Sequence, residues 1–174
     1  DFNTVAGGCR FHDRKKTRLE AMRGLYKLYR EEIGEDGYLD SCSGFTRGTV
    51  GYADASRIGP DSTHKWKALH PCAILECIKA VGNNAAANGI FYANDPDVTY
   101  LKLRYTPEEE KEGKALLTTD ELRTWHSFVG LLGGVTMISD PIEKEAYAAN
   151  IRMFGILNPP AKEKGVSLTA GSDA

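Results

Sequence analysis

Asp40, Asp54, Asp95, Asp97 and Asp140 stand where a short aromatic or apolar run turns polar, Asp1 is read as a further strand end, and Asp61 follows Arg57 by four positions. Recurring carboxylates suggest chemistry that needs two of them. Cleavage of a glycosidic bond is such a reaction: one carboxylate attacks or assists at the anomeric carbon while a second carboxyl protonates the leaving oxygen. Asp1 and Asp61 are candidates for such a pair on these general grounds. Arg57 could form a structural ion pair, or it could hold a sugar ring or restrain the acid, and its spacing from Asp61 favours the second use.

Such residues work only if a scaffold brings them to one surface. Leu19, Met22, Tyr26, Tyr29 and Ile33 fall on one stripe at helical spacing over 17–33, with Gly34 placed for a left-handed cap. Tyr38–Cys42, Tyr52–Arg57, Gly89–Asp95 and Val135–Asp140 read as strands. Helices are predicted from Pro71 to Asn84, from the capping pair Thr118 and Glu121 to Gly133-Gly134, and from Pro141 to about Met153.

This alternation predicts an α/β fold with a parallel sheet. Carboxylates recurring at the strand ends fit the catalytic face of a (β/α)8 TIM barrel, where active sites gather at the C-terminal ends of the strands. About five strand-like segments are visible, with the Asp1 segment as the first, and the barrel needs about eight. The expectation is therefore the C-terminal half of a (β/α)8 barrel over residues 1–157, a fragment of a longer chain that starts in mid-protein. Its inner face should be apolar and open, awaiting the missing N-terminal half of its own barrel. The tail 158–174, which opens on Asn158-Pro159-Pro160, reads as a linker toward a further domain. A small doubly wound sheet is the competing architecture, but neither Gly7-Gly8 nor Gly133-Gly134 has the spacing of a phosphate-binding loop.

With 22 Lys and Arg against 24 Asp and Glu, the chain has no cationic excess to hold nucleic acid or an anionic membrane. Its longest nearly apolar run, Phe128 to Ile138, is shorter than the ~20 residues of a membrane span. Four cysteines are too sparse for a disulfide scaffold and leave the compartment open. His70, Cys72 and Cys77 lack the second ligand pair of a zinc site and read as structural.

The segment Ala55-Ser56-Arg57-Ile58-Gly59-Pro60-Asp61 resembles the acid/base segment of clan D glycoside hydrolases, most closely family 36, the microbial α-galactosidases. Asp1-Phe2 resembles the end of that family's nucleophile strand, and Cys42-Ser43-Gly44 its substrate-contacting loop. Asn94-Asp95-Pro96-Asp97 and Ser139-Asp140 resemble its last two strand ends, so the resemblance spans most of 1–160. After Gly44, the Phe45-Thr46-Arg47 continuation departs from the glycine-rich run of many members.

The resemblance implies a retaining α-galactosidase with Asp1 as nucleophile and Asp61 as acid/base. It also implies Arg57, Cys42, Gly44 and Asn3 as substrate contacts, an α-galactoside or oligosaccharide as partner, and no metal or organic cofactor; Trp66, five residues after Asp61, either lines the leaving-group side as a further substrate contact or packs on a helix. Self-association is compatible with it. Asp95 and Asp97 are expected to hold the strand-end loop together or orient a neighbouring site residue, and Trp125, on an apolar stripe, to lie in the core. An α-galactosyl transglycosylase with the same acids and a non-catalytic sugar-binding barrel are the alternatives.

Overall fold

The computed structural model describes residues 10–42, 47–67, 72–101, 117–143, 151 and 155. Helix α1 (Arg18–Ile33) opens on a capping box, Thr17 accepting from the Glu20 backbone while the Glu20 carboxylate reaches back to Thr17. Of its expected apolar stripe only Met22 and Tyr26 are buried; Leu19, Tyr29 and Ile33 are exposed. The stripe is thus narrower than its periodicity suggests. Gly34 ends the helix at φ 74° with an extended ψ of 179°, so it is a positive-φ stop rather than the expected left-handed helical cap.

Three short strands, β1 (Asp40–Ser41), β2 (Ala55–Arg57) and β3 (Ala93–Asp95), form a parallel sheet in sequential order. Between β2 and β3 lie helix α2 (Ile74–Asn84) and a 3-10 turn (Ala85–Ala87). Helix α3 (Thr119–Leu132) follows β3, with the expected capping box of Thr118 and Glu121 at its start and Gly133 in left-handed conformation at its end. Beyond it the chain runs parallel to the β3 segment. Val135 N–H donates to Asn94 O (2.8 Å) and Thr99 N–H to Met137 O (2.8 Å), with a parallel bridge from Thr99 to Ile138. Chain order and spatial order therefore agree across all four segments, without the reversal of a doubly wound sheet. The expected last helix lies almost wholly outside the described residues.

Alternation along the strands assigns the two faces. Ser41 meets Tyr26 of α1 through their hydroxyls, and the Asn94 amide donates to Asn84 O of α2 (3.1 Å), so Ser41, Ser56 and Asn94 face the helices. Asp40, Ala55, Arg57, Ala93 and Asp95 take the other face. This corrects the expectation of an open apolar inner face: among the described strands that face is small and charged. The apolar core lies instead between sheet and helices, where Ile74, Cys77, Tyr100, Leu117, Leu122, Trp125 and Val129 form one cluster. Ile58, Val81, Ala87, Tyr92 and Leu132 form a second. Trp125 is fully buried, as expected, and donates from its indole to Val98 O (3.2 Å).

Candidate active site

Each residue of the turn after β2 has a physical reason. Ile58 is buried in the second cluster, and Asn84 of α2 donates to its carbonyl (3.2 Å). Gly59 passes so close to α2 that a Cβ would stand 2.8 Å from Cγ2 of the buried Val81, and a larger residue would force one of the two to shift. The buried Cys77 thiol donates to the carbonyls of Pro60 (3.5 Å) and Asp61 (3.6 Å), and desolvation pushes that thiol up to about 12. It is a packing group rather than a nucleophile. Core and α2 thus hold the turn from below, and the Asp61 side chain, 77% exposed, projects from the sheet's C-terminal edge.

Arg57 lies at the centre of the charges on this edge, with its side chain only 11% exposed. Its Nη1 meets Asp61 Oδ1 at 3.1 Å, Nη2 meets Asp97 Oδ1 at 2.7 Å, and Nε lies 3.4 Å from Asp95 Oδ2. One guanidinium serves three carboxylates, two of them buried. Asp97 adopts φ 80°, a left-handed conformation that aspartate tolerates better than most residues. Its N–H donates to Asp95 Oδ1 (2.8 Å), and its Oδ2 accepts from the Ser62 N–H. Desolvation raises the Asp95 pKa, opposed by the Asp97 N–H and Arg57. Asp40, on the same face, is pushed up to about 6 by partial desolvation and the Asp95 charge, against the pull of Arg57.

The structure brings Arg57 and Asp61 together and places Cys42, exposed, directly after β1 on the same edge of the sheet. Trp66 is part-buried and packs against the larger core cluster. Asp1, Asn3 and Gly44 lie outside the described residues, and so does His70. Asp140 follows the last parallel segment and accepts from the Leu101 N–H. Asp54 requires a correction: it precedes β2, at the end of the strand opposite Arg57. There it accepts from the Leu39 N–H and pairs with Arg30 of α1, and the Leu39 bond leads in lowering its pKa. Its carboxylate ties α1 to the sheet. The sequence reading gave no role to Ser62, whose hydroxyl meets the Tyr100 hydroxyl (3.0 Å) and whose carbonyl accepts from that phenol (2.8 Å). These contacts span 38 residues, and no local pattern signals them.

Among the described residues, no cluster of three or more His, Cys, Asp or Glu side chains could hold a metal, and no helix is long and apolar enough to cross a membrane. An exposed carboxyl beside an arginine that two buried carboxylates also hold, at the edge where parallel strands end, suits proton transfer to or from a bound ligand.

No family model matches the chain, and no curated protein matches it. Among solved structures it is similar to an α-galactosidase from Thermus thermophilus in complex with p-nitrophenyl α-D-galactopyranoside. That match has a TM-score of 0.58 and 19% identity over 81% of this chain and 28% of that one. The same enzyme in complex with stachyose matches with a TM-score of 0.55 and 19% identity, over 80% of this chain and 29% of that one. The chain thus spans less than a third of the length of these structures, and what it shares with them is an α/β fold with parallel strands.

Proposed function

We propose that the chain forms the C-terminal half of the (β/α)8 catalytic barrel of a retaining α-galactosidase, with Asp61 as general acid/base and Asp1 as nucleophile. The observation that carries this reading is the Arg57–Asp61 pair, fixed on the C-terminal edge of a parallel sheet with Asp61 turned outward. Sequential strand order and the fold shared with an α-galactosidase support it. In the first step the Asp1 carboxylate bonds to the anomeric carbon as the glycosidic bond breaks, and Asp61 gives its proton to the leaving oxygen. In the second, Asp61 takes a proton from water as water displaces Asp1. Two inversions return the original anomer. Cys42, Gly44, Asn3, Arg57 and Trp66 are the proposed sugar contacts.

The test is hydrolysis of p-nitrophenyl α-galactoside by the full-length protein, with the first-formed sugar observed by proton NMR. Release of α-galactose before mutarotation is the expected result. First release of β-galactose would overturn the retaining mechanism, and absence of hydrolysis would favour the non-catalytic sugar-binding barrel.

A further inference from the structure

The turn that carries Asp61 is held from its β3 side by a residue just past the neighbouring strand end. Asp97 reaches both ends of that turn: one carboxylate oxygen holds Arg57 (2.7 Å) and the other accepts from the backbone N–H of Ser62. The contact is buried, with the Asp97 side chain 8% exposed, and it joins residues 35 positions apart. Around it, Ser62 Oγ donates to Val98 O (3.0 Å) and the Tyr100 phenol donates to Ser62 O (2.8 Å). Residues 97–100 thus grip the position directly after Asp61, while Arg57 holds the Asp61 carboxylate from the other end.

Building on the proposed function, we propose that Asp97 is a positioning residue for Asp61, setting the direction in which that acid meets the leaving-group oxygen. Asp97 itself touches no reacting atom; it acts through Arg57 and the Ser62 amide. Asparagine at 97 could still accept from the Ser62 N–H and tolerate the positive φ, but it loses the charge that holds Arg57. Alanine loses both contacts and is strained at that backbone angle.

The experiment compares wild type, Asp61→Asn, Asp97→Asn and Asp97→Ala in the full-length protein, on p-nitrophenyl α-galactoside and on melibiose, with and without azide. Misdirected proton transfer should lower kcat/KM on melibiose by on the order of 10–100-fold in Asp97→Ala, with a smaller loss in Asp97→Asn. On the aryl substrate, whose leaving group needs little protonation, kcat/KM should stay within about threefold of wild type, and azide should raise kcat. A purely structural role would lower all these parameters in one proportion, without azide rescue, and would overturn the inference. If Asp61→Asn shows the leaving-group dependence and azide rescue while the Asp97 variants do not, the positioning role fails and the acid/base assignment stands. If Asp61→Asn shows neither, the assignment of Asp61 fails and the positioning role with it.

Discussion

Arg57 determines what happens to the charges around it. Asp95 and Asp97 are almost fully buried, and a carboxylate is tolerated there only while the guanidinium remains. Arg57→Met should therefore destabilise the full-length protein by about 3–5 kcal/mol in urea denaturation. Lysine should restore only part of this, because one ammonium cannot reach three carboxylates in the planar geometry seen here. Asp40 supplies a pH signature. Its folded-state pKa, about 6 against an ordinary 3.8, means that between these two values the native chain holds a proton there which the unfolded chain has released. Its contribution to stability is present below pH 3.8 and is lost as pH rises toward 6. Asp40→Asn should flatten the decline in denaturation midpoint across that window; an unchanged slope would count against the assigned environment.

At the scale of elements, glycines decide how closely the chain segments approach. Gly133 sits in left-handed conformation after α3, and its replacement by alanine should cost about 1 kcal/mol. Gly134 has ordinary φ, but a Cβ on it would drive into the Asn94 carbonyl oxygen, the group that accepts from Val135 N–H. Gly134→Ala should therefore be the more damaging of the two, by about 1–3 kcal/mol, because it separates the last parallel segment from β3. Denaturation midpoints of the two variants check the order. Caps and helices were legible in the sequence, since Thr118 with Glu121 and the stripe through Leu122, Trp125 and Val129 are local patterns. The strands were harder to bound. Their ordered cores read Asp-Ser, Ala-Ser-Arg and Ala-Asn-Asp, without the apolar run that marks a buried parallel strand, so the expected strands came out longer than the real ones. For the same reason the local pattern puts Asp54 at a strand's end although it precedes β2.

Across the whole molecule, the parallel α/β organisation could be read from alternating periodicities, and the Arg57–Asp61 pair from a four-residue spacing. The partners of that pair could not be read in the same way. Asp95, Asp97, Ser62 and Tyr100 meet only because β3 lies beside β2, and no spacing within one element encodes such a meeting. Parallel pairing places the C-terminal ends of β1, β2 and β3 on one edge, where Cys42, Arg57 and Asp95 gather. On the proposed reading, the strand that ends at Asp1 brings the nucleophile to this edge, roughly 5–5.5 Å from the acid/base. The central claim is therefore tested most directly by trapping the covalent intermediate. The full-length protein is incubated with 5-fluoro-α-galactosyl fluoride, digested, and its peptides are sequenced by mass spectrometry. A galactosyl ester on Asp1, formed also by Asp61→Asn, is the predicted result; an ester on any other carboxylate, or no ester while the wild-type enzyme still turns over α-galactosides, would contradict it.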